Sequence, residues 1–168
     1  MRSHLYLQAL SLAGIVVITA ATVASQTSDL PPEFEAVFAG QMIGAPYTNT
    51  TGPFGLRVHA PLFGGNLTDV TSGEVVATML PTADDGLIIG SATLFSYWVL
   101  PYVWETDGKL ASMTVRGVGN TTGHSYCYVH VETDSSAYSW MNSNFFIMKT
   151  VGTAEPLVHN ITLYGVAN

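Results

Sequence analysis

From residue 33 onward, short runs rich in Val, Ile, Thr and aromatic residues are divided by clusters of Gly, Pro, Asn and Asp. Runs of this length and composition, bounded by turn formers, predict strands. They fall at Glu33 to Gln41, Phe54 to Ala60, Gly73 to Leu80, Leu87 to Leu100, Lys109 to Val118, His124 to Val131, Phe145 to Thr150 and Val158 to Val166. Thr106-Asp107-Gly108 predicts a tight turn between two of them, because glycine takes the positive φ such a turn needs. Ahead of the first strand, the polar leader Gln26 to Pro32 ends in Pro31-Pro32, where extended backbone can begin but a helix cannot. Nothing outside the first 25 residues has the pattern of a long amphipathic helix, and no internal repeat or low-complexity segment occurs. Strands recurring at this spacing predict an all-β sandwich or barrel.

The first 25 residues are of another kind. Arg2 precedes an apolar run from Ala9 to Ala21, followed by the small residues around Thr22-Val23-Ala24. That order predicts a secretory signal peptide over 1–25, cleaved after Ala24 or Ser25, with one β domain over 26–168 and no stable membrane anchor once it is removed. Asn49-Thr50-Thr51, Asn66-Leu67-Thr68, Asn120-Thr121-Thr122 and Asn160-Ile161-Thr162 each match the N-glycosylation acceptor pattern without a central proline. Behind a signal, four such triplets predict a glycoprotein that is secreted or held in the secretory-pathway lumen, with each asparagine on an exposed turn.

Composition narrows the partners. Cleavage removes Arg2 alone among the charged residues, taking the five Lys and Arg to four against 12 Asp and Glu, a net charge of −8. This sign argues against nucleic acid or an anionic membrane surface as partner. Only 10% of residues are charged while 48% are hydrophobic, so the chain has either an unusually large core or an internal cavity lined with apolar side chains. Cys127 is the only cysteine, which precludes an intramolecular disulfide; within Tyr126-Cys127-Tyr128-Val129-His130-Val131 it reads as a buried strand residue. The five histidines lack the paired spacing of a zinc site, and neither a phosphate-cradling glycine loop nor a G-x-S-x-G elbow occurs. No metal or cofactor is expected.

Alternate side chains of a strand share a face. Arg57 and His59 therefore oppose Leu56 and Val58; Thr114 and Arg116 oppose Met113 and Val115; Tyr126, Tyr128 and His130 oppose Cys127, Val129 and Val131. On a solvated outer face the polar members simply meet water. Two tyrosines and a histidine on one face also suit a cavity wall that stacks on a flat ligand and offers hydrogen bonds. Phe95 to Trp104 is the densest aromatic segment, and core packing accounts for it most simply. Pro101 is expected to interrupt that strand and to leave Tyr102 and Trp104 at a rim or bend. Asp84-Asp85-Gly86 reads first as a turn, and otherwise as an acid pair at a cavity mouth that shares one proton and acts as a general acid. His59 and His130 have the intrinsic pKa to exchange protons near neutrality, although a lone strand histidine is more often a hydrogen-bonded core residue.

Taken in order, Gly55-Leu56-Arg57, Phe63-Gly64-Gly65-Asn66-Leu67, Gly73-Glu74-Val75-Val76 with Asp85 after it, Glu105-Thr106-Asp107-Gly108, Arg116-Gly117-Val118, Tyr138-Ser139-Trp140-Met141-Asn142, Phe145-Phe146-Ile147 and Leu163-Tyr164 resemble a β-barrel family of bacteria and fungi catalogued as a domain of unknown function. The resemblance runs from about Pro31 to the C-terminus. Two departures stand out: Gly-Gly-Ala-Asp of the family is here Pro81-Thr82-Ala83-Asp84-Asp85, and Thr-Asp-Asp-Gly is Thr106-Asp107-Gly108. The resemblance implies an all-β fold, a single antiparallel, lipocalin-like β-barrel enclosing an apolar cavity. Members with a signal peptide and sequons resemble fungal secreted hetero-Diels-Alderases, which join a tropolone quinone methide to a humulene-type sesquiterpene. That implies polyketide and terpene small molecules as partners, and the family members that dimerise make a homodimer a reasonable assembly.

A pericyclase needs no nucleophile, metal or cofactor, only a pocket that holds diene and dienophile in reactive geometry and hydrogen bonds that polarise the electron-poor partner. On this resemblance, an acid among Asp85, His59 and His130 assists loss of water from a hydroxylated tropolone. Arg57 or a tyrosine hydroxyl holds the tropolone oxygens, and Trp98, Tyr102, Trp104, Tyr126 and Tyr128 form the apolar wall. A noncatalytic carrier of a hydrophobic molecule would use a similar cavity, whereas a secreted structural or host-interacting protein would have none.

Overall fold

Period-two alternation is plain in β6 (Thr93–Trp104), where Ser96, Trp98, Leu100, Tyr102 and Trp104 are buried and Phe95, Tyr97 and Val99 are exposed. In the computed structural model, which describes residues 32–166, this strand is one of ten, all paired antiparallel. The others are β1 (Phe34–Gly44), β2 (Thr48–Gly52), β3 (Gly55–Asp69), β4 (Val75–Met79), β5 (Thr82–Ile89), β7 (Leu110–Asn120), β8 (His124–Thr133), β9 (Phe146–Gly152) and β10 (Val158–Val166). The expected signal peptide over 1–25 lies outside the described residues, as does most of the leader.

The sheet closes on itself because β1 pairs on one side with β10, Phe34 opposite Val166 through Ile43 opposite Val158, and on the other with β3, Phe38 opposite Asp69 through Gly44 opposite Leu62. Two strands share the position between β3 and β6. The short β4 pairs with Gly65 to Thr68 and with Tyr102 to Trp104, and β5 pairs with Leu56 to Leu62 and with Thr93 to Trp98. The result is an eight-stranded closed antiparallel β-barrel, with β2 as a flap on the part of β3 that extends past β1. Closure leaves the barrel wall without a free edge. At eight strands the interior is just wide enough to be filled by side chains or to hold one small ligand.

Three local expectations are corrected by this pairing. Asp84-Asp85-Gly86 lies within β5 rather than in a turn, since pairing on both edges, with β3 and with β6, outweighs local turn preference. The run Leu87 to Leu100 is divided by Gly90, whose φ of 66° makes the turn between β5 and β6. Pro101 does not interrupt β6, because it stands where the neighbouring strand changes from β5, last paired at Trp98, to β4, first paired at Tyr102. No partner there asks for the missing N–H, and the Pro101 carbonyl accepts from Leu80 N at 2.8 Å. The turn at Thr106-Asp107-Gly108 forms as expected, with Gly108 at φ 67° and its N–H donating to Trp104 O at 2.9 Å.

The core occupies the end of the barrel where β6 meets β7 and β8 runs into a 3₁₀ turn over Ser139–Ser143. Trp104 stacks on Tyr138 with ring centroids 3.8 Å apart, Phe38 packs on both, and Met141 of the 3₁₀ turn is fully buried among them. Asn142 holds this plug to β8 by accepting from Thr133 N at 2.8 Å and donating to Thr133 O at 2.9 Å. Leu100, Tyr102, Met113, Val131 and Phe146 complete the packing.

Candidate functional site

The other end of the barrel is hollow, and the register explains why. Across β5, β6, β7 and β8, one inward-facing row reads Gly86, Ser96, Gly117, Cys127. Toward the open end, the next row reads Ile88, Leu94, Gly119, Ser125, Thr150. Three glycines and four small polar or thiol side chains leave space where the plugged half has indole and phenyl rings. A cavity of about 480 Å³ results, within the usual range for small-molecule sites. Met42, Val58, Ala60, Leu62, Ile88, Leu94 and Leu157 give it an apolar wall, and Tyr47 with Asn120 to Gly123 forms part of its mouth.

Asp84 faces into this cavity beside its cross-strand partner Trp98, on the row between the small residues and the plug. Burial raises the Asp84 pKa to about 7, and the adjacent Asp85 charge pushes the same way. The Trp98 indole N–H lies near enough to oppose that shift, but it falls outside hydrogen-bonding geometry, so this buried donor has no protein partner. The Thr150 hydroxyl, also buried and lining the cavity, has none either. Buried polar groups are ordinarily paired, and a donor and a hydroxyl left open around an apolar space could each pair with an oxygen-bearing molecule there. His159 lines the same cavity, and burial lowers its pKa, which keeps the imidazole neutral near pH 7. The Cys127 thiol is pushed up to about 11 by burial and by Asp84, so it is a packed thiol rather than a thiolate nucleophile.

Of the residues singled out in the sequence, Trp98 lines the cavity. Tyr102 and Trp104 are inward-facing as well, but they fill the plug instead of standing at a rim, Trp104 donating from Nε1 to Thr133 Oγ1 at 2.9 Å. Tyr126, Tyr128 and His130 are on the outer surface: β8 turns Ser125, Cys127, Val129 and Val131 inward, and a strand's parity fixes every second side chain together. Tyr128 packs there against Phe145 at 5.0 Å, and His130 lies 3.7 Å from Glu132.

Arg57, His59 and Asp85 also face outward. They line a separate, open groove of about 390 Å³ with Thr48, Thr50 and Tyr97. His59 Nδ1 and Asp85 Oδ1 are 2.6 Å apart, with both side chains more than half exposed. Asp85 is therefore not a member of a proton-sharing pair with Asp84, since the strand puts the two on opposite faces. Asp84, Thr150 and His159 are the cavity residues that the sequence reading does not bring forward as a group. Knowing that Gly86 and Ile88 face inward would have placed Asp84 with them.

Three of the four sequon asparagines lie in strands rather than on turns, Asn49 in β2, Asn66 in β3 and Asn160 in β10, while Asn120 ends β7 next to the turn. Asn49, Asn120 and Asn160 are exposed and Asn66 is half-buried.

No protein-family model and no curated protein matches the sequence. Solved structures do. The barrel is similar to a β-barrel-like protein from Acinetobacter baumannii, at 17% identity and a TM-score of 0.69 over 84% of this chain and 100% of that one. A protein of unknown function from Rhodopseudomonas palustris matches at 17% identity and a TM-score of 0.70 over 82% and 99%. An enzyme from Penicillium herquei matches at 14% identity and a TM-score of 0.62 over 82% and 96%. At these identities the likeness is one of fold: the chain has the β-barrel shared by uncharacterised bacterial proteins and a fungal enzyme.

Proposed function

We propose that this protein is a secreted, cofactor-independent cyclising enzyme that adds a tropolone quinone methide to a humulene-type sesquiterpene by an intermolecular hetero-Diels-Alder reaction inside the barrel. The observation that carries this reading is Asp84: a carboxyl kept protonated up to about pH 7, in an apolar cavity, beside the unpartnered Trp98 N–H and Thr150 hydroxyl. The likeness in fold to a fungal enzyme agrees with it. Secretion rests on the expected signal peptide and the four sequons.

In this reading Asp84 gives its proton to the hydroxyl leaving a hydroxymethyl tropolone. The C–O bond breaks, water departs, and the ring hydroxyl returns a proton to the carboxylate, so the acid is restored and the quinone methide is neutral. A group with a pKa near the working pH suits both transfers, and such catalysis contributes typically ~10²–10⁴-fold. Trp98 N–H and Thr150 Oγ1 then hydrogen-bond the developing oxygen charge while the apolar wall holds the terpene alkene against the diene; one C–C and one C–O bond form with no net change in oxidation state.

The test is incubation of purified protein with a quinone-methide precursor and humulene, following the dihydropyran adduct against a no-protein control. Faster, stereoselective adduct formation that Asp84→Asn reduces by about 10²-fold or more supports the enzyme. Tight binding of either substrate with control-level product would instead identify a carrier, which the same enclosed apolar lining would serve.

A further inference from the structure

Six asparagines lie among the described residues, and they divide sharply in how they use the side-chain amide nitrogen. The two outside sequons donate from it, Asn142 Nδ2 to Thr133 O at 2.9 Å and Asn144 Nδ2 to Val166 O at 3.4 Å. The sequon asparagines do not. Asn66 Oδ1 accepts from Gln41 N at 3.2 Å, Asn160 Oδ1 accepts from Gln41 Nε2 at 3.1 Å, and Asn120 Oδ1 accepts from both Thr122 N and Thr122 Oγ1 at 2.9 Å. Attachment of a glycan replaces one hydrogen on Nδ2 and leaves Oδ1 an acceptor, so the fold accommodates it at these positions without losing a hydrogen bond.

Asn120 differs from the others in location. With Thr121, Thr122 and Gly123 it lines the mouth of the cavity. Its side chain is pinned by the two bonds from Thr122, and the turn is itself tied down, Thr121 N donating to Ala92 O at 3.1 Å and Gly123 N to Asn120 O at 3.2 Å. The stem of a sugar attached here has a fixed origin beside the opening.

We propose that Asn120 carries an N-linked glycan that forms part of the cavity mouth and slows the passage of ligands through it. This rests on the cavity being the ligand site. In the modification, Nδ2 bonds to the anomeric carbon of the first N-acetylglucosamine. The bond from that carbon to the pyrophosphate of a lipid-linked oligosaccharide donor breaks, and the Nδ2 proton leaves with the lipid pyrophosphate. Asn160, exposed on β10 and outside the cavity lining, serves as the comparison site.

The full chain, secreted from a eukaryotic host, is examined by glycopeptide mass spectrometry at Asn120 and by stopped-flow exchange of the neutral fluorophore N-phenyl-1-naphthylamine. Asn120 is expected to be occupied. Asn120→Gln, and trimming of the folded wild type to its first sugars, should each raise the association and dissociation rates by about fivefold or more with Kd within about twofold, since a wall at the mouth changes both rates together. Trimming works on protein already folded, so it separates the effect from misfolding of a variant. Asn160→Gln should leave the rates as they are. An unoccupied Asn120, or unchanged rates after both treatments, overturns the proposal while leaving the cavity reading intact. Failure of every form, trimmed ones included, to bind the fluorophore overturns both.

Discussion

Asp84 and Asp85 are consecutive residues with opposite fates: Asp85 meets His59 Nδ1 at 2.6 Å on the solvated face of β5, while Asp84 points into the barrel toward Trp98 and forms no ion pair among the described residues. The alternation of a single strand thus converts two identical carboxyls into an exposed, paired anion and a buried acid. The exposed pair is worth at most about 1 kcal/mol, because both partners are well hydrated. The buried one controls how stability and chemistry depend on pH.

Because the folded-state pKa of Asp84, about 7, lies above its ordinary value of 3.8, the native protein holds a proton that the unfolded chain has released between those two values. Stability contributed by this group is full below pH 4 and is lost as pH rises through 7. The span amounts to at most about 4 kcal/mol by linkage. Asp84→Asn should therefore leave stability near pH 4 little changed relative to wild type and raise it by about 2–4 kcal/mol at pH 8. Urea unfolding of both proteins across this range checks it, and a difference that does not grow with pH would contradict a buried, neutral Asp84.

Catalysis by the protonated form would fall as pH rises through about 7. The pH profile of adduct formation should show that limb. Arg57→Ala, His59→Ala, Tyr128→Ala and Asp85→Asn, all on outward-facing side chains, should each keep turnover within about threefold of wild type, as changes outside the cavity remove no transition-state contact. Loss of activity in the Arg57, His59 and Asp85 variants with Asp84→Asn unaffected would move the site to the outer groove.

Much of the barrel is readable from the chain because period-two alternation carries it: the strands from Lys109 onward, the turn at Gly108 and the burial of Cys127 follow from residue type and spacing. The site is less readable, because alternation groups residues by face without saying which face is inside. Tyr126 and Tyr128 look like a ligand wall in isolation. Inside this barrel the space opposite them is taken by Cys127 and Val129, whose small side chains fit between Gly117 and Met148 and between Val115 and Phe146. Asp84 reads as a turn residue or as half of an acid pair for the complementary reason. Its turn-like neighbours give no strand signal, and only pairing with both β3 and β6 makes it a strand residue.

Trp104 secures the plugged end through its stack on Tyr138 and its bond to Thr133. Trp104→Ala should cost about 3–5 kcal/mol, as expected for truncation of a large buried aromatic, and Tyr138→Ala should cost less because Tyr138 is only half-buried. Since neither residue lines the cavity, affinity for an apolar probe should change little at temperatures where both variants stay folded. Thermal unfolding beside probe titration distinguishes this from a shared site.

The turns and strand ends at the plugged end carry Asp69, Glu74, Glu105, Asp107, Glu132 and Asp134; among the described residues the cation on these turns is Lys109, which pairs with Asp134 at 3.2 Å. Repulsion among exposed like charges is screened by salt, so raising ionic strength from 0.01 to 0.5 M at pH 8 should stabilise the protein by about 1 kcal/mol. Glu132→Gln should reduce the salt response. A melting midpoint that falls with added salt would mean that attraction, not repulsion, dominates at this end.

Two inward-facing glycines of one row, Gly86 in the cavity lining and Gly117 beside β8, make opposite predictions. A Cβ on Gly86 would come within 2.8 Å of Leu94 Cδ1, the mobile end of a side chain that itself lines the cavity. Gly86→Ala should therefore fold with a small loss of stability while Leu94 shifts, and it should weaken binding of an apolar probe by changing the cavity wall. A Cβ on Gly117 would instead run into the Tyr126 carbonyl and the Cys127 backbone, which can move only with the strand. Gly117→Ala should cost about 1–3 kcal/mol or more through overpacking. Chemical denaturation with a parallel probe titration reads both effects. If Gly86→Ala bound the probe as tightly as wild type, the hollow end of the barrel would not be where the probe sits.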